Sequence, residues 1–206
     1  MSPKKKIFIT FGRMNPPHLG HKKLINKGIQ NARQEGANFM AIVTRSYSKG
    51  SNPLPPNMKV AIIKELYKRN YPNLNVRHIQ TYGEALGLLK AAGYTNIQKV
   101  VGTNRGSNFG NGAKTIVPRT SANISATKVR NAIRKSKNFE EFIRNPNVMQ
   151  MYPRNFNVNL LRMIYNEVKN SKAPNTPPKK RATTTRKKSK SPPPAKKRAT
   201  SSRRKS

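Results

Sequence analysis

The chain contains neither aspartate nor cysteine. All six acidic residues among its 206 are glutamates, set against 43 lysines and arginines. Without aspartate, Ser-His-Asp triads and aspartate-based metal sites are excluded. Without cysteine, disulfides and thiolate metal sites are excluded, which fits an intracellular protein. Catalytic and metal-binding sites that need aspartate or cysteine are therefore excluded for this chain.

Long apolar runs are also lacking. No stretch approaches the ~20 apolar residues of a membrane span. The basic start over residues 1–6 is followed by an apolar run too short for a signal peptide. We therefore expect a soluble, intracellular protein with no membrane partner.

The charge and the apolar residues divide the chain into two parts. Residues 171–206 contain 14 lysines and arginines but no acidic, aromatic or large aliphatic residue. Such a composition cannot bury enough surface to offset chain entropy, so we predict a disordered basic tail there. Residues 1–170 are predicted to form one domain, and that domain alone still carries +23 of the total +37.

Apolar periodicity within residues 1–170 predicts alternating strands and helices. The predicted strands cover 7–12, 38–44, 75–79, 97–102 and 114–117, and the predicted helices cover 19–34, 57–69 (with Asn57 as its N-cap), 82–92, 125–135, 138–144 and 155–169. This alternation predicts an α/β fold, a parallel sheet with helices on both faces followed by C-terminal helices. In such sheets the ligand binds beyond the carboxyl ends of the strands, where the loops after the first and fourth strands lie.

The first predicted strand leads through a short loop directly into a helix, and two histidines, His18 and His21, stand at the helix start. A helix N-terminus binds phosphate well, because its first amides lack intrahelical partners and its dipole is positive there. The histidines would add two side-chain donors. Residues 124–130 offer a second helix start with a cation, Arg130, one turn in.

Each of these residues also has a plainer interpretation. The two histidines could mark only an exposed helix start, and as metal ligands they lack an acid or cysteine nearby. Ser125 and Thr127 could be ordinary N-cap residues, which is compatible with phosphate binding at the same amides. Arg130 on its own would be a surface arginine.

Two segments resemble the signatures of a known family. Residues 11–21, Phe-Gly-Arg-Met-Asn-Pro-Pro-His-Leu-Gly-His, resemble the His-x-Gly-His signature of the cytidylyltransferase-like nucleotidyltransferases. Residues 124–130, Ile-Ser-Ala-Thr-Lys-Val-Arg, resemble its second signature, Ile-Ser-Ser-Thr-x-x-Arg. The superfamily includes nicotinamide-nucleotide adenylyltransferases, pantetheine-phosphate adenylyltransferases and cytidylyltransferases. The Arg-Met-Asn-Pro version most resembles members from phages and large viruses.

The resemblance implies a Rossmann-like sheet and a nucleotidyltransferase. Such an enzyme transfers AMP or CMP from a nucleoside triphosphate to a small phosphorylated acceptor and releases pyrophosphate, with Mg²⁺ held mainly by the phosphates. It implies that His18 and His21 contact phosphate oxygens and that Arg130 clamps the pyrophosphate, so these three residues are the catalytic candidates. The implied nucleotide-binding residues are Gly12, Arg13, Met14, Asn15, Lys49, Gly102, Asn104, Ser125 and Thr127.

The chain departs from the family pattern after the fourth strand. Relatives usually read Gly-Ser/Ala-Asp there, whereas this chain reads Gly102-Thr103-Asn104. An amide can replace a carboxylate only through hydrogen bonds. The motifs therefore support nucleotide binding more directly than turnover.

The tail carries an internal repeat with an offset of 17 residues, in which Lys179–Thr183 recurs as Lys196–Thr200. A polycation of this kind condenses onto polyanions, so we expect it to bind nucleic acid. The candidate residues are Lys179, Lys180, Arg181, Arg186, Lys187, Lys188, Lys196, Lys197, Arg198, Arg203, Arg204 and Lys205.

Other interpretations of the tail are a solubilising segment, a nuclear-localisation signal, or a ligand for anionic membranes without an apolar anchor. An alternative function follows: a nucleic-acid-binding protein, packaged in a virion or acting in a host nucleus, that reuses the fold with weak or no catalysis.

Overall fold

The computed structural model describes residues 5–48, 50–103, 114–118 and 125–171. The elements are β1 (Lys5–Gly12), α1 (Leu19–Gln34), β2 (Asn38–Thr44), α2 (Pro56–Tyr67), β3 (Val76–Ile79), α3 (Tyr82–Ala91), β4 (Tyr94–Gly102), β5 (Lys114–Val117), α4 (Ala126–Lys135), α5 (Phe139–Arg144), α6 (Pro146–Met149) and α7 (Val158–Lys169). Every predicted strand and helix has a counterpart, and the short helix α6 is an addition.

The five strands form one parallel sheet in the order β3-β2-β1-β4-β5. The chain first builds the sheet outward from β1 through β2 to β3, then returns to the other side of β1 to add β4 and β5. The strand order therefore reverses beside β1, and the loops after β1 and β4 flank that point, as the sequence predicted.

Helices cover both faces of the sheet, which confirms the predicted α/β architecture. Ile7 and Ile9 of β1 pack in a buried cluster with residues of α3, while Phe8, between them, packs with Ala32 of α1 on the other face. Side chains alternate across a strand, so a central strand with both faces covered needs an unbroken apolar run. The run from Ile7 to Ile9 meets that need.

Most element boundaries lie within one or two residues of the predictions, and those of α2, α7 and β4 show how local contacts set them. Helix α2 begins at Pro56 with Pro55 as its N-cap, so the prediction of Asn57 as N-cap is wrong; proline is favoured in the first turn, where its missing N–H is not needed. Helix α7 begins at Val158, because the Asn157 side chain accepts the Leu160 amide at 3.0 Å and caps the helix. Strand β4 begins three residues early, at Tyr94, directly after the left-handed Gly93.

The C-terminal helices complete the layer on the α1 and α2 side. Phe139 and Phe142 of α5 contact Tyr165 of α7, with ring centroids 5.6 and 5.5 Å apart. Val129 and Ile133 of α4 are fully buried in the same cluster. This packing holds the N-terminus of α4 beside the loops that leave the sheet. Among the helices of the described residues, none has the length and apolarity needed to cross a bilayer.

Candidate functional site

The loop after β1 turns sharply at Met14. Met14 has a φ of 43°, in the left-handed region that non-glycine residues seldom adopt. Its side chain is only 3% exposed and joins the core cluster of α1, α2 and α4, so burial of the thioether offsets the backbone cost of about 1 kcal/mol. The turn places the next residue, Asn15, against the loop that follows β2.

Asn15 joins the loop after β1 to the loop after β2. Its carboxamide nitrogen donates to the side-chain oxygen of Asn52 and, at 3.3 Å, to the carbonyl of Leu54. Its carboxamide oxygen accepts the Leu54 amide at 3.1 Å. Both asparagines are 4% exposed, and buried amides of this kind are stable only when they are paired in this way.

A buried lysine that the sequence analysis missed holds the second loop in place. The Nζ atom of Lys59 donates to the carbonyls of Thr44 at 2.7 Å and Ser46 at 2.9 Å. Lys59 is fully buried on α2, in one stripe with Ile62 and Ile63. The sequence does contain a signal for this burial. Lys59 precedes Ile62 and Ile63 by three and four residues, a spacing that places it on the same apolar face of the helix.

Arg130 reaches the first loop from α4. Its Nη1 atom donates to the Asn15 carbonyl, and its Nη2 atom donates to Thr127 Oγ1 at 3.1 Å. Asn15 precedes His18 by three residues. The structure therefore brings Arg130 to the segment that leads into the two histidines, although 109 residues separate Arg130 from His21 in the chain.

Arg134, one turn beyond Arg130 on α4, contacts the second loop. Its Nη2 atom donates to the Gly50 carbonyl at 2.7 Å and to the Ser171 hydroxyl at 3.1 Å. Together, Arg130, Asn15, Asn52, Gly50 and Arg134 form a closed chain of contacts between α4 and both loops. We call this set the loop circuit.

The start of α1 differs from the phosphate site that the sequence predicted. Its first three amides already have acceptors: Leu19 donates to the Met151 carbonyl at 3.0 Å, Gly20 to His18 Nδ1 at 3.0 Å, and His21 to the His18 carbonyl at 2.8 Å. The expectation of free amides at this helix start is therefore wrong. The cause is the N-cap role of His18, together with a carbonyl supplied by the turn after α6.

The two histidine rings contact each other in a tilted arrangement beside that helix start. Their ring centroids are 4.1 Å apart, and His18 is buried while His21 is half-buried. Because His18 Nδ1 accepts the Gly20 amide, the ring proton of neutral His18 lies on Nε2. His18 is thereby fixed as a donor through Nε2, which is the form a phosphate oxygen requires.

The start of α4 differs from the start of α1 in the contacts of its first amides. Ser125 is the N-cap, and its hydroxyl accepts the Lys128 amide at 3.2 Å. Within the described residues, the amides of Ala126 and Thr127 have no acceptor. An anion at this end of α4 would meet these two amides and the positive end of the helix dipole, with Arg130 one turn away.

The site is strongly electropositive. Burial lowers the pKa of Arg130, and the nearby charges of Arg134 and Arg13 lower it further. Burial also lowers the pKa of Lys59 to about 8, with a smaller contribution from Arg13. Arg13 is exposed, and none of these cations forms an ion pair with any of the six glutamates, all of which lie in the described residues. An anionic ligand would relieve this mutual repulsion.

The remaining predicted site residues fall into two groups. Gly12 and Gly102 end the adjacent strands β1 and β4, at the edge where the strand order reverses. Lys49, Asn104 and the twelve predicted nucleic-acid-binding residues of the tail lie outside the described residues. In the described ranges, histidine and glutamate form no cluster of three or more that could hold a metal ion.

Comparison with known proteins identifies the fold. No family model and no curated protein matches this chain. Among solved structures, the chain is similar to a protein of Vibrio parahaemolyticus that carries a provisional assignment as a nicotinate-nucleotide adenylyltransferase. The two are 16% identical, with a TM-score of 0.52, and the match covers 81% of this chain and 96% of the other.

A second solved structure agrees with the first. It is nicotinic acid mononucleotide adenylyltransferase of Plasmodium falciparum complexed with APC, and it is 10% identical to this chain. The TM-score is 0.53, and the match covers 82% of this chain and 98% of the other. At these identities the likeness establishes a shared fold, over about four-fifths of this chain and nearly the whole length of each of the other two.

Proposed function

We propose that this chain is a nucleotidyltransferase that binds a nucleoside triphosphate between the start of α4 and the loop after β1. The observation that carries the proposal is the contact of Arg130 with the Asn15 carbonyl, which joins the two segments that resemble family signatures. The two segments meet at the edge where this class of sheet binds its ligands.

The chemistry proposed for the site is direct displacement at the α-phosphorus. An oxygen of the acceptor phosphate forms a new bond to that phosphorus, the bond to the β-phosphate oxygen breaks, and pyrophosphate leaves with its electron pair. The protein contributes position and positive charge rather than a covalent intermediate. His18, as an Nε2 donor, and His21 would contact the α- and β-phosphates.

Arg130 would hold the departing pyrophosphate. A guanidinium has five N–H donors, and two of the hydrogen bonds of Arg130 are made to Asn15 and Thr127. The other donors can bind phosphate oxygens in a planar, bidentate manner. The amides at the start of α4 would bind the same group from the helix end.

The proposal is tested by pyrophosphate release. The first nucleotide and acceptor to use are ATP and nicotinic acid mononucleotide, because both similar structures are named as adenylyltransferases of the nicotinate nucleotide. CTP, nicotinamide mononucleotide, phosphopantetheine and phosphocholine complete the panel. Arg130→Ala should reduce the rate at least about 100-fold, as expected for losing a major charge-stabilising donor. Lys90→Ala, an exposed cation at the end of α3 on the far edge of the sheet, should leave the rate unchanged.

No turnover with any pair at high protein concentration, both with and without Mg²⁺, would contradict the enzymatic proposal. Equal rates for Arg130→Ala and the native chain would contradict the assignment of this site.

We propose nucleic-acid binding as a second function, favoured by the charge of the chain. The tail carries 14 cations and no anion, and residues 1–170 add a net +23. Binding to duplex DNA should weaken steeply with salt, because each phosphate contact adds about 0.9 to the log–log slope. Replacing six tail cations, Lys179–Arg181 and Arg186–Lys188, with glutamine should lower that slope by up to about 5. An unchanged slope would contradict the role of the tail.

A further inference from the structure

None of the six glutamates, all of which lie in the described residues, forms an ion pair with Arg130 or Arg134 of the loop circuit. Five have assigned contacts: Glu35 with Lys6, Glu65 with Lys68, Glu84 with Arg45, Glu140 with Arg162, and Glu141 with the Lys137 amide. The sixth, Glu167, lies near the end of α7 and pairs with none of the site cations. Because the chain has no aspartate, these six complete the list of side-chain carboxylates.

Four side-chain oxygens in and beside the loop circuit already take part in hydrogen bonds. The Asn15 carboxamide oxygen accepts the Leu54 amide, and the Asn52 carboxamide oxygen accepts from Asn15. The Ser46 hydroxyl lies 2.5 Å from that of Thr44 and accepts from Asn52. Protein-bound Mg²⁺ is usually held by one or two carboxylates besides substrate phosphates. The described residues offer no such ligand set, so they do not fit a protein-held Mg²⁺.

What the site offers instead is positive charge. Arg13 on the first loop and Arg130 and Arg134 on α4 supply three guanidinium groups. The Arg134 Nε atom is buried and finds no hydrogen-bond acceptor in the part of the chain that the structure describes. Below the second loop, the buried ammonium of Lys59 adds a fourth charge to the local field. A divalent cation bound to the triphosphate would cancel part of the charge that these groups attract.

We propose that this site binds the nucleoside triphosphate without a bound metal ion. Arg13, Arg130 and Arg134 neutralise the phosphate charge that Mg²⁺ neutralises at sites with carboxylates. The inference rests on the nucleotide site proposed above. It concerns binding of the triphosphate, and it predicts that Mg²⁺ weakens that binding or leaves it unchanged. A site that relies on the metal would show the opposite dependence.

The test is isothermal titration of the full chain with ATP and with CTP, in EDTA and in excess Mg²⁺ at matched ionic strength. We expect the Kd in EDTA to be equal to or lower than the Kd in Mg²⁺. Arg13→Gln is the main variant, because Arg13 is exposed and no hydrogen bond joins its side chain to another described residue. It should weaken binding about fivefold in EDTA and clearly less in Mg²⁺. Lys90→Gln, on the far edge of the sheet, should change neither value.

The outcomes separate this inference from the proposed function. Binding that is measurably tighter in Mg²⁺ than in EDTA overturns the inference and leaves the nucleotide site standing. Absence of binding in both conditions, or binding unaffected by Arg130→Gln, overturns the nucleotide site and the inference with it. Equal losses for Arg13→Gln and Lys90→Gln would show general attraction to a polycation and would also overturn the inference.

Discussion

Raising the pH from about 7 to about 9.5 should stabilise this protein through one buried side chain, Lys59. Burial, aided by Arg13, lowers the pKa of its ammonium from 10.5 to about 8. Below pH 8 the lysine is charged in both the folded and the unfolded state, so the folded state carries the whole cost of burying the charge. Between the two pKa values the unfolded chain binds more protons, and the free energy of unfolding therefore rises with pH.

The magnitude follows from the two pKa values. At pH 9.5 the lysine of the unfolded chain is still mostly charged, while that of the folded chain is mostly neutral. One pKa unit corresponds to about 1.4 kcal/mol, so the gain over neutral pH reaches about 2 kcal/mol at that point. Burial raises the pKa values of Tyr67 and Tyr152, which lowers stability as pH rises above about 10. The measurement should therefore stop below that pH.

Urea unfolding of the native chain and of Lys59→Met at several pH values measures the effect. Methionine keeps much of the volume of lysine but does not titrate. The stability of the native chain relative to this variant should increase by about 2 kcal/mol between pH 7 and 9.5. Lys64→Met changes an exposed position on the same helix, so its free energy of unfolding should change with pH in the same way as that of the native chain. A difference between the native chain and Lys59→Met that stays flat with pH would refute the reasoning.

Two further substitutions test the packing and the loop circuit. Gly28→Ala on α1 should lower stability by about 1–3 kcal/mol, because the new Cβ would overlap the Phe39 ring. Gly87→Ala on α3 places its Cβ where no atom lies within 4 Å, so it should raise stability by up to about 1 kcal/mol. Thermal melts that give the two variants equal stability would contradict this packing. Asn52→Ala should cost about 2 kcal/mol and speed amide hydrogen exchange in residues 46–52, because it removes buried hydrogen bonds within the loop circuit. Exposed Asn73→Ala is its control, and unchanged exchange in Asn52→Ala would show that the circuit does not hold the loop.

Several features of this protein could be predicted from the sequence because they depend on local patterns. The apolar run from Ile7 to Ile9 predicts a strand buried on both faces, and the 3.6-residue periodicity after it predicts α1. Alternation of such elements predicts a parallel sheet, and a parallel sheet aligns its ligand loops along one edge. The meeting of residues 11–21 with residues 124–130 was implied by the family resemblance, and Arg130 does contact the first of these segments.

Other features depend on contacts between distant segments, which no local pattern reports. The amides at the start of α1 are occupied because Met151, more than 120 residues later, supplies a carbonyl and because His18 turns its ring back as a cap. Lys59 looks like any helical lysine until the loop after β2 brings two carbonyls to its ammonium.

The sequence by itself therefore determined the elements, their parallel arrangement and the surplus of positive charge, since these follow from composition and short-range periodicity. Only the tertiary structure decided which amides remain free for an anion and which cations share one site. Both depend on what lies within a few ångströms in space, and segments far apart in the chain supply those neighbours.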